Sequence, residues 1–529
     1  MNPPSPDSPR DAALISVYDR TGVAALARAL AERGIPIYAT SGTRAHLIEQ
    51  GIDARDVGDL TGYPSLFDGR VKTLHPNVFG GILKDRDSDV HRSEAERHAI
   101  PSISTVVVNL YPFEATVANE SATLKEAIEQ IDIGGVSLLR AAAKNFDHVT
   151  VLSEPSQYDA FIVALGKGGL DRSTRRRYAT RAFERTAEYD SAIARYLESG
   201  LLANELPGSL ALTIPIEQPL RYGENPQDRA AFYLAREAQL PEQLGGKALS
   251  YNNLLDLDAT LRMLVRAKLG FAGPAPYPLP PKRARAAIVK HTVPCGLAER
   301  ESVAEAVREA LHTDPVSAYG GIIAVDGTID AAAAEHLAGF FLEIVAAPAF
   351  DAGALARLRR KKNLRIMRFK PGTPEHIAAE LRVRSALGGV LAEDDDPQAP
   401  PERWTVVSQR APTDDEWRDL VFAWDAVRHV KSNGVVIARD AVSRGICAGQ
   451  TNRVSAVQIA AYRAHEYVRG AACASDGFFP FADGLIAAAE AGCSAVIAPQ
   501  GSIRDAEVIA AADARDVALV FSTHRYFLH

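Results

Sequence analysis

Through the first 165 or so residues, short apolar runs alternate with stretches whose apolar positions recur every three to four residues. ALISV (13–17) reads as a strand, VAALARALAERG (23–34) as an amphipathic helix, and IPIYAT (35–40) as a second strand with another helix behind it. This is the rhythm of βαβ units. TVVVNLYPF (105–113) and HVTVL (148–152) are too uniformly apolar for half-exposed strands and suit parallel strands covered on both faces. The pattern predicts an α/β fold with a doubly wound parallel sheet, followed by helix from about Asp171 to Glu198. LANELPGSLAL (202–212) breaks the periodicity and marks the main domain boundary.

The second part again mixes strands and helices. AAIVKHTVPCGLA (286–298) and VRHVKSNGVVIA (427–438) echo each other faintly, each with a Val-Lys after an apolar approach, an echo too short to prove a repeat but compatible with two similar subdomains. GPAPYPLPPKR (273–283) and EDDDPQAPPER (393–403) are expected to be surface loops carrying no chemistry, because proline cannot continue a helix or a ladder.

Composition narrows the class. A chain of 529 residues suggests about three domains, and 47% apolar with 24% charged residues excludes a disordered or fibrous protein. No apolar stretch approaches the roughly 20 residues of a bilayer span. MNPPSPDSPRD (1–11) has no apolar run behind a basic start, so it is expected to be a disordered tail, not a signal peptide, which points to the cytoplasm. A net charge of −7 without a basic block disfavours a nucleic-acid polymer. Cys295, Cys447, Cys473 and Cys493 form no CxxC, arguing for free thiols against a disulfide framework or structural zinc.

Candidate chemistry lies in short polar islands at strand ends, where an open α/β sheet binds ligands. SVYDRTG (16–22) and ATSGTR (39–44) each offer hydroxyls and a glycine before a helix, suited to phosphate; Thr21, Ser41 and Thr43 serve equally as helix caps. GRVKTLHP (69–76) gathers Arg70, Lys72 and His75, either for an anionic substrate or as a solvated basic loop. Tyr111 stands just past an apolar strand, and Asp132 precedes a Gly-Gly helix start with Lys144 near its far end. Lys290 and His291 pair a cation with a group that titrates near neutrality, suited to proton transfer, or are a surface lysine beside a structural histidine. The Pro-Cys that follows lacks the second cysteine and the upstream HxE of a zinc deaminase.

Taken together the islands resemble one family, the bifunctional AICAR transformylase/IMP cyclohydrolases of purine biosynthesis. The resemblance rests on SVYDRTG, GRVKTLHP, VVVNLYPF, QIDIGG with RAAAKN, LRYGENP (220–226), SYNNLLDLDA (250–259), VKHTVPCG, DPVSAYGGIIA (314–324), KKN (361–363), FAWDAVRHVKSN (422–433), GQTNRV (449–454) and SDGFFPF (475–481), in family order from about residue 12 onward. It implies a methylglyoxal-synthase-like cyclohydrolase domain over 12–203. A transformylase of two cytidine-deaminase-like subdomains without zinc would follow over 204–529.

The implied reactions are formyl transfer from 10-formyltetrahydrofolate to the amine of AICAR and ring closure to IMP by an intertwined homodimer. No zinc, flavin or nicotinamide is expected. Potassium is allowed behind the transformylase site, where no motif locates it. By motif, the cyclohydrolase residues are Lys72, Tyr111, Asp132 and Lys144, with Ser16, Arg20, Thr40, Gly42 and Thr43 around the phosphate. The transformylase residues are Lys290, His291 and Asn433, with Arg221, Tyr222, Arg453 and Arg525 on the nucleotide and Phe478 and Phe479 toward the folate.

Val293, Gln227, Asp228, Phe79, Gly477 and Tyr526 depart from the family pattern. They leave open a paralogue acting on an AICAR-like azole or C-nucleoside nucleotide in purine-analogue antibiotic assembly. A third reading makes the N-terminal domain a nucleotide sensor, with only the transformylase active.

Overall fold

A computed structural model describes residues 11–119, 121–199, 206, 208–211, 213–234, 238, 240–266, 283–394 and 402–529. Residues 1–10, much of 202–212 and the proline-rich 273–282 lie outside the described residues. The chain divides into two compact units, one running to Pro215 and including Leu234–Ala238, the other comprising Ile216–Tyr233 and Gln239–His529.

In the first unit, β1 (Ala12–Val17), β2 (Ile37–Ala39), β3 (Arg55–Asp56), β4 (Ile103–Asn109) and β5 (Thr150–Leu152) form a parallel sheet of order β3-β2-β1-β4-β5. Because strand side chains alternate faces, Leu14, Val106 and Val108 pack on one side, against helices α3 (Pro76–Leu83), α4 (Gly134–Lys144) and α6 (Arg172–Ser199). Ala13, Ile15 and Val107 pack on the other, against α1 (Val23–Ala31), α2 (Ser41–Glu49) and α5 (Tyr158–Leu165). Burial on both faces is why these strands read as unbroken apolar runs. The chain order reverses between β1 and β4, so the crevice beyond their carboxyl ends is the expected ligand position.

The second unit opens with a ribbon of β6 (Ile216–Leu220) and β7 (Ala230–Tyr233). Its main sheet is built twice over. The first half runs β8 (Glu242–Gly245), α7 (Tyr251–Arg262), β9 (Ala284–Lys290), β10 (Val293–Arg300), α8 (Val303–Thr313), β11 (Ile322–Val325), β12 (Ile344–Ala347) and β13 (Arg365–Arg368). The second half repeats it as β14 (Trp404–Val406), α9 (Asp414–Val427), β15 (Val435–Arg439), β16 (Val442–Cys447), α10 (Arg453–Ala464), β17 (Ala472–Ser475), β18 (Ala495–Pro499) and β19 (Ala518–Ser522). The halves join through β10 and β16 into one 12-stranded sheet of order β14-β19-β18-β17-β15-β16-β10-β9-β11-β12-β13-β8, which reads alike outward from its centre.

The repeat extends to single residues. Gly296 on β10 lies where a Cβ would overlap the Ala310 carbonyl of α8, and Gly445 on β16 stands in the same relation to Ala460 of α10. Two subdomains are thus present, but the echo between 286–298 and 427–438 is not the register that relates them. The first segment is a β-hairpin, whereas the second runs from the end of a helix through a loop into a strand. Shape is repeated here with different residues, which a match of Val-Lys pairs does not detect.

Of the acidic stretch 393–403, residues 395–401 lie outside the described residues, and Glu402 departs from the expected surface loop. Glu402 is buried, and its carboxylate accepts the indole N–H groups of Trp404 and Trp424 at 2.8 Å each, the Ser522 hydroxyl at 2.5 Å and the Tyr526 hydroxyl at 3.0 Å. Four donors replace the water this carboxylate gives up on burial.

Candidate active site

The crevice of the first unit is a cavity of about 900 Å³. Thr43 ties its floor together: its hydroxyl accepts from Val17 N at 3.0 Å and donates to Val17 O at 3.1 Å, joining the end of β1 to the first turn of α2. The Thr40 hydroxyl donates to Ser16 Oγ at 3.2 Å. No side chain caps α2, and Thr40, Gly42 and Thr43 at its start line the cavity, with the Arg20 guanidinium beside Gly42. Uncapped amides, hydroxyls and a guanidinium make an anion cradle.

Asn109 completes the cradle from β4. Its Oδ1 accepts from the backbone N–H groups of Tyr18 and Asp19 at 2.6 and 2.9 Å, and its Nδ2 donates to Asp19 O at 2.8 Å. This residue was missed in the sequence, although a polar side chain ending an apolar strand was its signal.

In the same cavity, Lys72 Nζ donates to Tyr111 Oη at 3.3 Å. Asp132 precedes α4 and accepts from Gly135 N at 2.6 Å. Gly135 is required there, because a Cβ would collide with the Asp132 carboxylate. Burial raises the Asp132 carboxyl above its ordinary value of 3.8, against the opposing pull of the Gly135 N–H and the Lys72 charge. Ser16, Arg20, Thr40, Gly42, Thr43, Lys72, Tyr111 and Asp132 therefore line one cavity. Lys144 does not join them. It is exposed on the last turn of α4, about 15 Å along the helix from Gly134, because ten residues at helical rise carry it toward the other end of the sheet.

In the second unit, Lys290 ends β9 and His291 and Thr292 form the two-residue turn into β10. Both turn residues have left-handed backbone, with φ of 56° and 58°. Lys290 Nζ donates to Tyr319 O at 2.7 Å, and Asp256 of α7 accepts from the turn's two N–H groups. Asn433 lies at the same edge of the sheet, just before β15. β10 and β16 intervene between β9 and β15, a separation of about 14 Å at ordinary strand spacing. Asn433 Nδ2 donates to Gln450 O at 2.8 Å.

Arg453 is held by the fully buried Asp476, which also accepts the Ser432 hydroxyl, so Arg453 braces the Asn433 loop. Arg221 stacks over Tyr222 with 5.5 Å to the ring centre, and the exposed Arg525 over Phe527 with 4.7 Å. Phe478 is half-buried; Phe479 is 2% exposed and packs over Gly484 within the core. Asp256 and Asp476 lie in quoted motifs but had no distinguishing pattern of their own.

Two departures from the family pattern have structural accounts. Phe79 packs against the core of the first unit. Asp228 closes the 223–228 turn, its carboxylate accepting from Asn225 N at 3.2 Å and its carbonyl from Gly223 N at 3.0 Å.

The AICARFT/IMPCHase bienzyme family matches residues 142–463, and the MGS-like domain family matches residues 22–137. The bifunctional purine biosynthesis protein PurH of Rhodopirellula baltica is 45% identical over 530 residues, spanning 98% of each chain. The chain belongs to the AICARFT/IMPCHase bienzyme family. PurH of Chloroflexus aurantiacus is 47% identical over 523 residues, again 98% of each chain. A solved structure described as "Crystal structure of ForH" is 33% identical, covering 36% of this chain and 99% of that one, with a TM-score of 0.32. Membership agrees with the methylglyoxal-synthase-like sheet and the transformylase unit expected from the motifs.

Proposed function

We propose that this chain carries out both reactions of its family in the cytoplasm as a homodimer, with 10-formyltetrahydrofolate as formyl donor and AICAR as acceptor. The cyclohydrolase is assigned to residues 12–203 and the transformylase to 204–529. The observation that carries the reading is a cavity lined both by an anion cradle and by Lys72, Tyr111 and Asp132.

In formyl transfer, the AICAR amine attacks the formyl carbon and the folate nitrogen leaves. That amine is weakened by conjugation to a ring bearing a carboxamide, so its proton must be removed as the tetrahedral centre forms. His291 takes the proton, Lys290 stabilises the developing oxyanion and helps protonate the leaving nitrogen, and Asn433 orients the carboxamide or formyl group. Arg221, Tyr222 and Arg525 hold the nucleotide, Arg453 acts through the loop it braces, and Phe478 faces the folate.

Ring closure needs no cofactor. The carboxamide nitrogen attacks the formyl carbon, and the oxygen of the former formyl group leaves as water. The cradle holds the phosphate, Asp132 takes the amide proton, and Lys72 and Tyr111 stabilise charge on the oxygen. A carboxyl raised by burial is a better base than an ordinary aspartate.

Single-step assays on the full chain test this. H291A is expected to lose roughly 100-fold or more in formyl transfer while still closing supplied formyl-AICAR, and D132N is expected to do the converse. If H291A transfers formyl at the wild-type rate, His291 has no place in the mechanism.

A further inference from the structure

The turn carrying His291 has a twin in the other half of the sheet. Asp256 Oδ2 accepts from His291 N at 3.1 Å and its Oδ1 from Thr292 N at 2.6 Å. Asp419 Oδ2 accepts from Asp440 N at 2.9 Å and its Oδ1 from Ala441 N at 2.8 Å, at the turn between β15 and β16. Asp440 and Ala441 are also left-handed, with φ of 57° and 51°. Each aspartate stands six residues after a helix N-cap, Ser250 or Thr413, and each cap closes a capping box. The same clamp is therefore built twice, once on Lys290-His291-Thr292 and once on Arg439-Asp440-Ala441.

A two-residue hairpin turn with both residues left-handed ordinarily calls for Asn-Gly, because a Cβ is crowded in that conformation. The β-branched Thr292 is poorly suited to it. A carboxylate that accepts both N–H groups holds the turn against that preference and fixes the direction in which the His291 ring leaves the backbone. We propose that Asp256 is a positioning residue for formyl transfer, acting through the His291 turn without touching either substrate, whereas Asp419 does the same mechanical work for stability alone. This rests on the reading of His291 as the general base.

The experiment compares D256N and D419N in the full-length protein, with H291A and T292G assayed alongside. Asparagine keeps the size of the side chain but turns an amide N–H toward one of the two donors. D256N is expected to lower kcat for formyl transfer by on the order of 10- to 100-fold, the scale of an ångström-sized misplacement, with KM for AICAR close to wild type. D419N should lower the melting midpoint and keep kcat.

Glycine at Thr292 relieves the left-handed crowding, so D256N/T292G should regain most of the lost kcat. Wild-type kcat in D256N overturns the proposal, as does a loss expressed in KM or one that T292G leaves unrepaired. If D256N alone fails to fold, the double variant decides: kcat near that of T292G supports the proposal, and kcat near that of H291A overturns it. Full activity in H291A would instead overturn the assignment of the base.

Discussion

Lys72 and Tyr111, 39 residues apart in sequence, meet at 3.3 Å because the loop before α3 and the exit of β4 converge on one crevice. The lysine is the donor, so the Tyr111 oxygen receives a positive partner while its own proton stays available for a developing oxyanion. Tyr111→Phe removes that proton and keeps the ring. Ring closure of supplied formyl-AICAR should slow roughly 100-fold, as on loss of one oxyanion donor, with formyl transfer unchanged. Separate assays of the two steps check this.

Asp132 should set stability and activity against each other. Its native carboxyl is raised above 3.8 by burial, so the native state binds this proton more tightly than the unfolded chain does. The associated stability is full below 3.8 and is lost as pH rises through the native value. At neutral pH the charged form is therefore a cost. Asp132→Asn should melt higher than wild type at pH 7, with the gap narrowing as pH falls toward about 4, while ring closure is lost. Melting curves across that range decide it; a variant that melts lower at pH 7 contradicts the burial argument.

Much of the first unit was legible because a sheet buried on both faces writes itself as apolar runs, and the polar residues ending those runs, Ser16 and Tyr111 among them, fall at the crevice. Lys144 shows the limit. The motif resemblance groups it with Asp132, whereas the helix carries it away from the crevice at a constant rise. Asp256 was illegible for another reason: its partners are backbone N–H groups, which have no letter in a sequence. Glu402 looked solvated because its neighbours in the chain are acidic and proline-rich, whereas its donors are brought in by β14, α9, β19 and the Tyr526 segment.

Removing the Glu402 carboxylate should be costly. Glu402→Ala strands two indole N–H groups and two hydroxyls in the interior, and about 3–5 kcal/mol of stability should go with them. Glu402→Gln retains one acceptor oxygen and should cost less. Urea unfolding of both variants measures the difference, and a loss under about 1 kcal/mol in the alanine variant would place the donors in contact with water.

The reach of Asn109 has a consequence for how the protein matures. It ties the chain just after β1 from a position 91 residues beyond Tyr18, so those bonds cannot form until β4 has slid in beside β1. A nascent or partly unfolded chain carries the residues of the cradle without the cradle. Its anionic ligand therefore recognises only finished sheet, and at a concentration of 100 times Kd mass action adds about 2.7 kcal/mol in favour of that state. Metabolite supply in the cell then bears on how many copies survive quality control, as well as on how fast each one turns over.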